Sequence, residues 1–127
     1  HQKKYIGKLS AFCGAVSAGY ACGAAITYML GGNFNQIANT IINTLANTSG
    51  IICDGAKPSC AAKISSALDA ALLAHTMSMH DDVFHADEGI VKDDLEKTIR
   101  AVGYIGREGM KSTDIEVLNI MIDKVCP

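Results

Sequence analysis

The sequence predicts an all-α fold, a compact bundle of about five to six helices around a buried, Ala/Gly-rich central helix. Three observations predict it. No stretch alternates apolar and polar residues with period two over a strand length. Trp is absent and aromatic residues make up 6% of the chain, while Ala, Gly, Ile and Leu abound, a palette suited to closely packed helices and not to aromatic cross-strand pairs. Apolar residues recur three and four positions apart in several segments. The 127 residues suffice for one domain, 1–127, with a real core, but are few for an enzyme that must also enclose its substrate. The first residue is His1, as expected of a piece of a longer protein.

Leu9 to Leu30 contains no charged residue and approaches the length of a bilayer span. Its content of Ala, Gly, Ser and Cys, without flanking aromatic anchors, favours a buried central helix over a membrane segment. Ser10 is expected to cap it. Gly14, Ala18, Cys22 and Ala25 fall on one side, giving a smooth face that another helix could approach closely. Gly31-Gly32-Asn33 ends this helix and Asn33 caps the next, in which Ile37, Ile41, Ile42 and Leu45 recur at helical spacing. The polar positions between them (Asn39, Thr40, Asn43, Thr44, Asn47) are uncharged, as expected of a helix enclosed on several sides.

Ser49-Gly50 breaks that helix, Asp54-Gly55-Ala56 reads as a turn, and Pro58 opens a helix running to about His75 through Ile64, Leu68, Leu72 and Leu73. His75 to Glu88 is a helix end followed by a polar loop. An amphipathic helix is expected from Val91 to about Val102, with Asp93, Asp94 and Glu96 near its N-terminus. A loop punctuated by Gly103, Gly106 and Gly109 follows, and Ser112-Thr113-Asp114 caps a last helix carrying Ile115, Leu118, Met121 and Ile122.

With 11 basic and 13 acidic residues, no electrostatic footprint for nucleic acid or an anionic membrane is present. Five cysteines is an odd number and no secretory signal is visible, so metal ligands or buried thiols in a reducing cytoplasm are preferred to a disulfide framework. Cys53 and Cys60 bracket a Gly-containing turn, with Cys60 just inside a helix N-terminus, where the dipole and free amides favour the thiolate that binds metal. Lys57 adds positive charge, and Gly55 lets the backbone approach the sulfur. The spacing is not that of a zinc knuckle. On the residues alone, metal binding and a pair of buried thiols stand level. His75, His80 and His85, five apart, do not share a helical face, so no zinc site is expected there.

The run Gly-Ile-Ile-Cys-Asp-Gly-Ala-Lys-Pro-Ser-Cys-Ala-Ala-Lys-Ile, Gly50 to Ile64, closely resembles the signature of the L-cysteine desulfidase family, which is related to the alpha chain of iron–sulfur L-serine dehydratases. The resemblance extends upstream over Ile6 to Gly14 and downstream to Asp87-Glu88-Gly89-Ile90, Thr98-Ile99-Arg100 and Gly109-Met110 through Thr113-Asp114. It implies a 4Fe-4S cluster held by Cys13, Cys53 and Cys60, with one iron left open. The implied reaction is β-elimination of L-cysteine to pyruvate, ammonia and sulfide, or the same reaction on L-serine. The partners implied are the amino-acid substrate and a missing N-terminal domain, with a homodimer as a further option. Ser10, Asp54 and Lys57 are candidates for substrate contact or for orienting the ligand loop, and no residue is assigned as the catalytic base. Cys22 is read as a packing residue, and Cys126 either caps the open iron or belongs to a free tail. The rival from another class is a non-catalytic helical module that packs its cysteines or binds zinc.

Overall fold

The computed structural model describes residues 1–7 and 10–125. Among these the architecture is all-helical, with one isolated antiparallel bridge between Phe12 and Ile52. The helices are α1 (Lys3–Ile6), α2 (Gly14–Met29), α3 (Phe34–Thr48), α4 (Ser59–Met79), α5 (Leu95–Tyr104) and α6 (Lys111–Met121), with a π-helical turn at Ile105–Gly109 continuing α5.

Helices α2, α3 and α4 form the body. The chain leaves α2 through Gly31, whose φ of +85° is the left-handed conformation that closes a helix, and the Gly32 N–H donates back to the Thr27 carbonyl at 2.8 Å. Asn33 and Gln36 then form a reciprocal capping box that starts α3. On α3 the expectation of an enclosed polar face holds for Thr40, Asn43 and Thr44, which with Thr48 are buried and satisfied, but not for Asn47, which is exposed, while Asn39 is half-buried. Thr40, Thr44 and Thr48 donate to the carbonyls four residues earlier, and Asn43 binds the backbone of Asp82 and Phe84.

α4 lies beside α2 and runs parallel to it. Gly19 faces Ala67, Gly23 faces Ala71, and Thr27 Oγ1 meets His75 Nδ1 at 2.9 Å, so the offset between the helices is the same at each level. A Cβ on Gly19 would stand 2.8 Å from the Ala67 carbonyl oxygen, and one on Gly23 would stand 3.0 Å from both Ala71 Cβ and Thr40 Cγ2. Only a glycine–alanine seam admits this approach.

That seam reverses two sequence expectations. The smooth face of Gly14, Ala18, Cys22 and Ala25 is exposed, and the close contact is made by the glycines on the other side of α2. On α4 the packed face is Ala67, Ala70, Ala71 and Ala74, while Ile64, Leu68, Leu72 and Leu73 are 58%, 38%, 42% and 55% exposed. The larger side chains point outward because the interhelix gap holds no more than a methyl group.

A second layer of α1, α5 and the π turn closes the end of the body where α2 begins, over a core that includes Ile6, Phe12, Val16, Tyr20, Leu45, Ile99 and Val102. The Gly103 to Gly109 region was expected as a loop and is instead helical. Gly103 lies against the Tyr5 side chain, and a Cβ on Gly106 would stand 3.2 Å from Phe12 Cβ, so these glycines serve close approach. α5 starts at Leu95, where Asp94 accepts the Lys97 N–H at 2.7 Å, later than the expected Val91. α6 begins at Lys111, so Ser112, Thr113 and Asp114 lie in its first turn and none caps it; no residue of α6 is buried. Among the described residues, no helix is long and apolar enough to cross a membrane.

Candidate metal centre

The isolated bridge is the piece that joins distant parts of the sequence at the cysteines. The Cys13 N–H donates to the Ile51 carbonyl at 3.1 Å and the Cys53 N–H to the Ala11 carbonyl at 2.6 Å. With Phe12 opposite Ile52, Cys13 stands opposite Ile51 and Cys53 opposite Ala11. Side chains alternate along an extended pair, so Cys13 and Cys53 share one face as diagonal neighbours, with Cα atoms roughly 7–8 Å apart in such a pair. Cys13 is also the residue that enters α2, with extended backbone angles of φ −70° and ψ 129°.

Cys60 is the second residue of α4. Because α2 and α4 run parallel, both helices start at the same end of the body, with Cys13 at one N-terminus and Cys60 at the other. The positive dipole ends of both helices thus lie at the end of the body that carries these two cysteines. The Cys60 Sγ accepts the Lys57 N–H at 3.4 Å and donates to the Gly55 carbonyl at 3.2 Å. Gly55 has a φ of +84°, which the turn requires and other residues rarely adopt.

Lys63, one turn beyond Cys60 on α4, was not singled out from the sequence. Its ammonium pairs with the Asp54 carboxylate and lies within electrostatic range of Cys13 and Cys60, and the Asp54 hydrogen bond above all raises its affinity for the proton. The same hydrogen bond holds the Asp54 carboxyl below its usual range. The signal was present in the three-residue spacing from Cys60, which puts Lys63 on the same side of the helix. Asp54 therefore ties the loop between Cys53 and Cys60 to α4, while Lys57 meets Cys60 through its backbone amide.

Ser10 does not cap α2, because the helix starts at Gly14 with Cys13 at the N-cap position. Its hydroxyl donates to the Gly106 carbonyl at 2.5 Å and accepts the Phe12 N–H at 3.0 Å, fastening the bridge segment to the π turn. It lines a cleft of about 250 Å³ with Arg107, Lys111 and Asp114. The end of α6 reaches the same region, with Met121 Cε 3.8 Å from the position of a Cβ on Gly55.

The remaining cysteines and histidines fall elsewhere. Cys22 is exposed, which corrects its assignment as a packing residue. Cys126, like Leu9, lies outside the described residues. His75 bonds to Thr27, and among the described residues no group of three or more His, Cys, Asp or Glu side chains has the arrangement that holds a metal ion. A four-iron cluster is much larger than a single ion and spreads its thiolates further apart. The donor set here, three thiols with helix-end amides and a lysine, suits such a cluster by its chemistry.

Residues 1–119 match a family model described as the serine dehydratase alpha chain. The chain is 58% identical to a UPF0597 protein of Treponema denticola over 96% of its own length and 28% of the relative's. It is 56% identical to a UPF0597 protein of Lachnoclostridium phytofermentans over 97% of this chain and 30% of that one. A UPF0597 protein of Finegoldia magna is 54% identical, with coverage of 98% and 30%. The chain thus spans less than a third of the length of these relatives. No solved structure matches it.

Proposed function

The chain belongs to the serine dehydratase alpha chain family, and on that premise we propose that it is the cluster-bearing domain of an iron–sulfur lyase acting by β-elimination on a small L-amino acid. The observation that carries the reading is the convergence of the Cys13–Cys53 bridge face and Cys60 at the shared starting end of α2 and α4, with Lys63 beside them. Cys13, Cys53 and Cys60 would hold a 4Fe-4S cluster, and such a cluster, with three protein thiolates, supplies an iron free to act as a Lewis acid.

The chain's own groups prepare that site. The Lys57 amide donates to Cys60 Sγ, and the Asp54–Lys63 pair holds the loop between Cys53 and Cys60 against α4. Lys63 also offsets part of the charge that gathered thiolates create. Ser10 holds the strand bearing Cys13 against the π turn, beside a cleft open to a small polar molecule.

The substrate reading is L-cysteine, with L-serine as the alternative. Loss of the α-proton and of the β-substituent, sulfide from cysteine or hydroxide from serine, leaves aminoacrylate, which water converts to pyruvate and ammonia. The base that takes the α-proton and the rest of the substrate pocket belong to further polypeptide of the kind the longer relatives contain.

Anaerobic reconstitution with iron and sulfide tests the proposal. The chain is expected to take up about four irons with matching acid-labile sulfide. Ser in place of Cys13, Cys53 or Cys60 should remove most of it, and full iron retention by all three variants would overturn the assignment. Anaerobic assay of the complete enzyme with both amino acids, reading sulfide and pyruvate, identifies the leaving group.

A further inference from the structure

The outer surface of the α2–α4 pair has the character of an interior. On α4, the side toward α3 is marked by Ser66, Asp69 and Leu73, which line a groove with Asn47 and Thr48. Ile64, Leu68 and Leu72 recur every fourth residue on the opposite side of the Ala67–Ala71 seam, facing away from α3. On α2, Ala18, Cys22, Ala25 and Met29 occupy the matching flank, with Met29 80% exposed and Cys22 exposed. The two rows flank the same side of the Gly19–Ala67 and Gly23–Ala71 seam, along the furrow that any two packed helices leave between them.

Charge is missing from this surface. No Asp, Glu, Lys, Arg or His occurs from Ser10 to Cys53, and between Lys63 and His75 the only charged residue is Asp69, which lies on the α3 side. A solvated helix face normally carries charges at these positions, and large uncharged apolar patches mark surfaces that are covered in the working protein. The relatives supply the covering material, since some seven-tenths of their length lies outside the matched region (the match takes 28–30% of each).

We infer that the α2–α4 furrow, centred on Cys22 and Leu68, is the docking surface for the companion part of the enzyme, which lays an apolar, uncharged helix into it. This rests on the reading that the chain works with further polypeptide, and it is independent of the cluster. Helix-in-groove docking explains why small residues line one wall and branched ones the other: the first lets the partner backbone come close, and the second gives it side chains to interlock with. The furrow runs back from the end where Cys13 and Cys60 lie, so docking there sets the companion part beside the thiols.

The test is co-expression of this chain with the segment of the Treponema denticola relative that lies outside the matched residues. Peptide-resolved maleimide labelling of Cys22 is the readout, and the iron content of the chain is measured separately. A stable one-to-one complex with loss of Cys22 labelling is expected. The double substitution Leu68→Glu with Leu72→Glu should abolish the complex and leave the helicity and iron uptake of the chain unchanged. A complex with the folded segment in which Cys22 stays fully reactive, or no complex at all, would overturn the inference. So would protection of Cys22 in this chain alone through self-association, which would make a second copy the occupant. Failure of docking with normal iron uptake counts against this inference alone, and docking without iron uptake counts against the cluster alone.

Discussion

Glu96 holds three neighbours at once: its carboxylate accepts from the Tyr5 hydroxyl at 2.6 Å and from Arg100 Nε at 3.2 Å, and it meets His1 Nε2 at 2.8 Å. The Tyr5 hydroxyl first, then Arg100, holds its carboxyl below the usual range. A depressed carboxyl stabilises the fold above the ordinary carboxylate range, and that contribution is lost as pH falls through the folded value. Thermal melts should therefore show Glu96→Gln less stable than the parent at neutral pH, with the gap closing in acid; a gap independent of pH would contradict the pairing. Beside the thiols, Lys63→Ala should lower the iron retained after anaerobic reconstitution and desalting, and Lys63→Arg, which can still reach Asp54, should restore part of it. Equal retention by parent and Lys63→Ala would remove Lys63 from the site. Cys53 and Cys60 could be singled out from sequence because the Gly55 turn and the start of α4 are local features. Lys63 was harder to see, since its importance comes from what Asp54 and Cys13 bring to it from other segments.

At the level of elements, α2 offers a controlled comparison. Gly19→Ala should gain up to about 1 kcal/mol of helix propensity, yet the new methyl meets the Ala67 backbone carbonyl at 2.8 Å, and overpacking of that kind costs about 1–3 kcal/mol. The expected net result in chemical denaturation is destabilisation. Gly14→Ala, with nothing within 4 Å of the new Cβ, should be neutral or stabilising. If both variants behaved alike, the seam would not be as tight as described. The end of α2 and the starts of α3 and α4 were legible before the structure, since Gly31, Asn33 with Gln36, and Pro58 act through their own neighbours in sequence, whereas the starts of α2, α5 and α6 were not. The faces were less so. Periodicity shows that α4 has an apolar side, but it does not reveal that the glycines of α2 reserve the inner position for alanines and send Ile64, Leu68 and Leu72 outward. Likewise Gly103 and Gly106 read as loop residues, and only the approach of Tyr5 and Phe12 explains why they are helical.

For the molecule as a whole, stability resides where the two layers meet. Leu45 is fully buried there, so Leu45→Ala should cost about 2–5 kcal/mol, whereas Leu72→Ala, at a half-exposed position, should stay within roughly 0.5 kcal/mol in the isolated chain. Urea titrations of the two variants decide this, and similar losses would mean that the outer face of α4 is already covered. The bridge from Phe12 to Ile52 has a further consequence. It closes a loop containing all of α2 and α3, so Cys13 can meet Cys53 only once those helices have folded back on each other. A newly made chain would expose scattered thiols before it owned a pocket. For the proposed cluster, iron delivery would have to follow the folding of α2 against α3, and a chelator should strip reconstituted iron fastest under conditions that loosen the α2–α3 turn.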